Sequence, residues 1–174
     1  MASAPEGLTL ETSRDRQKWW QSPWIRRVLL IVPAAIALAG LLNQFGQRPE
    51  TLVASAAPAK LTVVAPTRGR SGLIYAARFR IDATQDLKDA RLVMDGGWAD
   101  GYTVNGEAPQ PLGEGSANGQ LTFDLGHVPA GEQHTFWLSL QINPTTIGTH
   151  RQNVSLYDGK TLLAVVHHSI RIFP

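Results

Sequence analysis

The chain has 174 residues, room for one domain plus an appendage. Hydrophobic residues make up 43% and charged residues 17%, short of the roughly 25% charged residues usual in soluble domains, which points to a membrane segment. A formal net charge of +2 is too small to argue for nucleic acid, and the lack of cysteine excludes thiol catalysis, cysteine-ligated zinc and iron–sulfur clusters.

The amino-terminal stretch, 1–23, reads as a cytoplasmic basic tail. Residues 1–27 carry five basic groups (Arg14, Arg16, Lys18, Arg26, Arg27) against three acids (Glu6, Glu11, Asp15), leaving eleven against eleven in the remainder. The positive charge is therefore a basic tail on a neutral domain rather than a polyanion-binding surface.

A transmembrane helix is predicted over 24–45. From Val28 to Leu42 no side chain is polar, and nine of those fifteen residues are Leu, Ile or Val. Each contributes about −0.3 to −0.6 kcal/mol to insertion at the bilayer centre. Fifteen residues are fewer than the ~20 needed to span, and the flanks supply the rest. Trp24 and Ile25 precede the run, Phe45 follows it, and Arg26 and Arg27 snorkel to the headgroups. Trp19, Trp20 and Trp24 form the aromatic belt expected at an interface. Basic residues on this side place the amino terminus in the cytoplasm and the following domain outside, so the chain is expected in the cell membrane as a single-pass protein. Two rival readings use the same residues: a cleaved signal peptide, with small-residue sites at Ala54-Ser55-Ala56 or Ala57-Pro58-Ala59, and a twin-arginine export signal at Arg26-Arg27. Both leave about a dozen polar or mixed residues between Leu42 and any cut, so an uncleaved anchor is favoured.

Residues 46–60 read as a flexible linker, with two prolines, small side chains and no period. Such a tether keeps the domain near its own membrane and raises its effective concentration for neighbouring membrane proteins.

From 61 to 174 the hydrophobic period becomes two. Leu73, Tyr75, Ala77, Phe79 and Ile81 share one strand face, with Arg78, Arg80 and Asp82 on the other. The same alternation groups Leu121, Phe123 and Leu125, and then Phe136, Leu138, Leu140 and Ile142. Further strands are predicted over 61–65, 88–95, 101–105, 149–157 and 161–173. Turns are predicted at Gly96-Gly97, Asn105-Gly106, Pro129-Ala130-Gly131, Asn143-Pro144 and Asp158-Gly159, the last a type I′ hairpin. Seven or eight short strands without a helix over about 110 residues predict an all-β antiparallel sandwich.

The order LIYAARFRIDATQDLKDARLVMD and then GHVPAGEQHTFWLSLQINPTTIGTHRQNVSLYDGKTLL resembles bacterial extracytoplasmic immunoglobulin-like domains of the cell-adhesion-related kind, over roughly Leu61 to Phe173. The resemblance implies an immunoglobulin-like sandwich, with Trp137 in the place of a core tryptophan. It implies little about function.

Chemistry-bearing residues do not assemble into a signature. His167 and His168 are adjacent on a predicted strand and point to opposite faces, His168 joining Leu162, Ala164, Val166, Ile170 and Ile172 on the inner one. His127, His134 and His150 lack ligand spacing. Asp82, Asp86 and Asp89 cluster at a turn in the manner of an oxygen-rich calcium loop, but Lys88 and Arg91 intervene, and solvated turn chemistry is the preferred reading. Ser116 lies in a glycine-rich hairpin loop, Gly113–Gly119, and not in a nucleophile elbow. Asn153-Val154-Ser155 matches a glycosylation acceptor but falls within a predicted strand. Trp98 and Tyr102 stand in a glycine-rich connection, where large aromatics either plug the sandwich end or anchor a contact. No cofactor, metal or nucleic acid is expected, and no catalysis. The expected role is a membrane-anchored extracytoplasmic binding or assembly module, an accessory subunit contacting the bilayer and an envelope or membrane protein. The alternative is a carbohydrate or cell-wall binder using Trp98 and Tyr102.

Overall fold

A computed structural model describes residues 23–42, 44 and 46–174; Trp19 and Trp20 of the expected aromatic belt lie outside the described residues. The chain divides into two units, 1–44 and 45–174. In the first, α1 (Pro23–Leu41) begins on a proline, whose missing N–H is no loss at a first helical position. It takes in Trp24, Arg26 and Arg27 as well as the apolar run up to Leu41. With 19 residues and a mean hydropathy of 1.8, it is long and apolar enough to cross a membrane.

The second unit is a β-sandwich. In chain order its strands are β1 (Pro49–Ala56), β2 (Ala59–Pro66), β3 (Arg68–Arg70), β4 (Ile74–Ala83), β5 (Leu87–Met94), β6 (Tyr102–Ala108), β7 (Gly113–Ala117), β8 (Gln120–Val128), β9 (Gln133–Ile142), β10 (Gly148–Arg151), β11 (Val154–Asp158), β12 (Thr161–Val166) and β13 (Ser169–Phe173). One five-stranded sheet has the order β1-β2-β4-β9-β6, a second β12-β11-β5-β8-β7, and a three-stranded sheet β10-β13-β3. The pairs are antiparallel except β13 with β3, which run parallel.

Alternation explains the core. Tyr75, Ala77, Phe79 and Ile81 of β4 and Phe136, Leu138, Leu140 and Ile142 of β9 are buried from one sheet, against Leu92 and Met94 of β5, Phe123 of β8, and Val154 and Leu156 of β11. Ile170 and Ile172 of β13 join the same cluster, so the inner faces of all three sheets close on one core.

Every predicted strand is present, but the count rises. The stretch predicted at 149–157 breaks at Gln152-Asn153 into β10 and β11, and that at 161–173 breaks at His167-His168 into β12 and β13. At each break the chain passes from one sheet to another, an irregularity that apolar period cannot signal. Within the break His168 keeps its predicted inner position, whereas Leu162 is exposed because a bulge at Leu156/Tyr157 shifts the register.

The linker expected over 46–60 is instead mostly strand. β1 pairs antiparallel with β2 from Pro49↔Pro66 to Ala56↔Ala59, and its small side chains, which suggested a tether, suit an edge strand with little to bury. The expected loop Gly113–Gly119 contains β7, and Asn118-Gly119 alone makes the turn into β8. Their φ values of 54° and 76° fit the type I′ pattern that Asn-Gly favours. Asn105-Gly106 is not a turn but a bulge within β6. The hairpin at Asp158 occurs as predicted, with its turn one residue later: Asp158 pairs with Thr161, and of the central residues Gly159 and Lys160 only the glycine has positive φ. That is the type II′ pattern, with Gly first.

Candidate interaction face

Trp98 and Tyr102, the predicted contact residues, are inside. The 3-10 turn Gly96–Trp98 carries Trp98 to 0% exposure. Its indole Nε1–H donates to the Asn153 carbonyl at 3.1 Å. Phe79 meets it edge-on at 5.5 Å and His168 stacks on it at 6.1 Å. Tyr102 is 8% exposed and packs edge-to-face against Tyr75 and His150. Burial raises the pKa of both tyrosines, and for Tyr75 the hydrogen bond from Gln152 partly opposes this. These aromatics plug the region where β10 and β13 leave the second sheet, and a contact role for them is withdrawn. Trp98, not Trp137, is the core tryptophan.

The polar candidates disperse. His127 pairs with Asp86 at 2.7 Å, Asp89 with Arg91 at 3.1 Å and Asp82 with Arg80 at 3.3 Å. Each carboxylate that could have made a calcium loop thus has its own basic side chain as partner, and among the described residues no group of three or more His, Asp or Glu converges to hold a metal. His167 is exposed, with Nδ1 at 3.2 Å from Asn153 Oδ1, while His168 is buried. Asn153 lies between β10 and β11 rather than within a strand.

A carboxylate pair that sequence reasoning missed lies at the open edge of the sandwich. Glu107 on β6 and Glu114 on β7 line a cleft of about 260 Å³ with Val104, Ser116, Leu121 and Phe123. Register shows why: Glu107 pairs with buried Leu138 and Glu114 with buried Phe123, so both carboxylates point toward the inter-sheet space. Burial raises the Glu107 pKa, and Glu114 raises it further by hydrogen bonding and like charge. Inward-pointing charges on edge strands are a common guard against edge-to-edge association.

A second exposed surface is the outer face of the five-stranded sheet β1-β2-β4-β9-β6. Register places Val64, Arg78, Trp137 and Ala108 in one row across four strands. Trp137 is 44% exposed, with the Arg78 guanidinium over its ring at 5.2 Å, a cation–π contact. Small residues surround the stack: Ala76 opposite Ser139, and Thr135 opposite Arg80. Val53 and Ile74 add exposed apolar surface at the margins. The signal for Trp137 was in the alternation, since it sits between inward-facing Phe136 and Leu138.

No family model and no curated protein matches the chain. Among solved structures the chain is similar to a non-cellulosomal cohesin from the hyperthermophilic archaeon Archaeoglobus fulgidus, at 12% identity and a TM-score of 0.41, covering 72% of this chain and 92% of that one. CaCohA2 from Clostridium acetobutylicum is similar at 14% identity and a TM-score of 0.46, covering 68% and 92%. The cupredoxin domain of amoB from Nitrosocaldus yellowstonii is similar at 12% identity and a TM-score of 0.43, covering 69% and 90%.

Proposed function

We propose that the chain is a membrane-anchored binding module: α1 spans the membrane with the amino terminus in the cytoplasm, and the extracytoplasmic sandwich holds a protein partner of the same membrane or envelope. The apolar run of α1 has no polar side from Val28 to Leu41, which in water would leave it uncovered all round and in a bilayer leaves it matched. The immunoglobulin-like pattern of 61–174 and the tail's basic charge fit an extracytoplasmic domain behind such an anchor.

The observation that carries the binding role is the exposed Arg78–Trp137 stack at the centre of a sheet five strands wide. Tryptophan and arginine dominate binding hot spots because they bury large area and form directed polar contacts at low entropic cost. The row needs no refolding to meet a partner. A protein surface suits it better than a sugar, because the guanidinium already occupies one face of the indole on which a pyranose would stack.

The test is crosslinked recovery of the full chain from native membranes, comparing the natural protein with Trp137→Ala. Trp137 is exposed, so the variant keeps its fold, and loss of a hot-spot tryptophan weakens binding by about 30-fold or more. One stoichiometric membrane protein lost with Trp137→Ala supports the reading. Retention on cell-wall glycan with no protein recovered overturns it in favour of a carbohydrate-binding role, and a partner held equally by the variant places the contact elsewhere.

A further inference from the structure

The neutral charge balance of the domain conceals a segregation. The three-stranded sheet turns Gly69, Ile170 and Ile172 inward, and its opposite side carries Arg68 and Arg70 from β3, Arg171 and Phe173 from β13, and Thr149 and Arg151 from β10. Arg171 lies directly beside Arg68, Phe173 beside Arg70, and Ser169 beside Arg151. Neighbouring strands are about 4.8 Å apart and alternate residues about 7 Å apart, so four arginines rise from a patch roughly 10 by 14 Å. The three strands contain no Asp or Glu. Arg80 and Arg91 each pair with a carboxylate, whereas among the described residues Arg70, Arg151 and Arg171 do not. An external anion would offset the like charge gathered by Arg70, Arg151 and Arg171. Arg171 lies over the Phe173 ring at 5.3 Å. Beside the patch is a hollow of about 430 Å³, lined by Arg151, Asn153, His167, His168 and Ser169, which offers guanidinium, imidazole and hydroxyl donors.

The chain enters the sandwich at this sheet. The Thr67 N–H donates to the Arg48 carbonyl at 3.1 Å, and the Arg171 N–H donates to the Thr67 carbonyl at 2.9 Å. Six residues, 42–47, separate Leu41 from Arg48, a reach of at most about 25 Å. If α1 is the anchor proposed above, the arginine patch cannot travel far from the bilayer surface.

We propose that this arginine face binds the anionic phospholipid headgroups of the membrane that holds α1. The inference rests on the anchor reading. Each guanidinium fork matches the two free oxygens of a phosphodiester, and the short tether favours lipid over any soluble polyanion.

The absence of native cysteine makes the test direct. The full chain with Thr149→Cys, beside Arg171, or with Glu132→Cys, in the turn between β8 and β9, takes a single fluorophore. It is reconstituted in nanodiscs of phosphatidylcholine with or without phosphatidylglycerol, each holding a lipid with a spin label on its headgroup as quencher. Quenching of the fluorophore at position 149, not of that at position 132, is expected to strengthen with phosphatidylglycerol. It should weaken about fivefold for each of Arg70→Gln, Arg151→Gln and Arg171→Gln, and fall with added salt in the chain that keeps its arginines. The salt series guards against a variant that fails to fold. Carbonate-resistant protein whose quenching ignores phosphatidylglycerol or salt overturns the inference while the anchor stands, and leaves an acidic protein surface as occupant of the patch. Protein released from native membranes by alkaline carbonate overturns the anchor reading, and this inference with it.

Discussion

At Gly97 a Cβ would lie 1.5 Å from the Arg151 carbonyl oxygen, and backbone at that distance cannot give way as a flexible side chain can. Gly97 also accepts from Gln152 Nε2 at 3.3 Å, so pushing the segments apart would disturb a fully buried amide and the adjoining Trp98. Gly97→Ala should destabilise the sandwich by about 3 kcal/mol, read as a lower urea midpoint. His168 shows the opposite kind of constraint. The residue is 5% exposed, neither ring nitrogen makes a well-aligned hydrogen bond, the Pro66 carbonyl being the near acceptor, and the ring stacks on Trp98. Burial lowers its pKa below the ordinary 6.5, with the Glu50 charge and the Pro66 carbonyl opposing in part. The unfolded ring therefore takes up a proton at higher pH than the folded one. Stability from the neutral ring is complete above pH 6.5 and falls as pH drops below it. His134, partly buried, shifts the same way. His168→Leu should raise stability at neutral pH by about 1 kcal/mol and flatten the acid side of the urea midpoint against pH. An unchanged acid slope would mean that this ring does not govern it. Alternation alone placed His168 inward and set Trp137 opposite Phe136 and Leu138. It said nothing about Trp98, which is carried inward by a 3-10 turn with no apolar period.

Strands with strong alternation, β4 and β9 above all, were legible in the sequence because each must bury one face. The strands that escaped notice, β1, β3 and β7, consist largely of small, polar or basic residues and are specified by their partners rather than by their own side chains. This difference can be tested at Lys60, which a tether would expose to trypsin and the β1–β2 pairing protects. Lys60 should resist limited digestion of the folded chain, and rapid cutting there would restore the linker. The edge strands β6 and β7 make a second prediction. Since burial and Glu114 raise the Glu107 pKa, the folded state holds that proton more tightly than the unfolded chain does. The associated stability is present below the ordinary 4.5 and is lost as pH rises through the elevated folded value. Glu107→Gln should stabilise the protein at neutral pH by about 0.5 kcal/mol, a figure kept small by solvent screening at the open cleft. A destabilised Glu107→Gln chain would show that the carboxylate has a favourable partner.

At the scale of the whole sandwich, the second layer is shared between two sheets, and the chain stitches them together. β10 continues through Gln152-Asn153 into β11, and β12 through His167-His168 into β13, so one long hairpin has each arm in both sheets. The crossing points are tied across: the Gln152 N–H donates to the His168 carbonyl at 2.9 Å, and the Gln152 side chain donates to the Tyr75 hydroxyl at 3.0 Å, on the facing sheet. Opening the three-stranded sheet alone would uncover Ile170, Ile172 and Trp98 and break both contacts. The arginine face and the Arg78–Trp137 row therefore belong to one cooperative body, which would hold the two proposed binding surfaces at a fixed spacing. Buried amides of β13 should then exchange hydrogen only through global unfolding, within about tenfold of those in β5. Much faster exchange confined to β10, β13 and β3 would instead define a separately opening unit, and the two surfaces would be free to move independently.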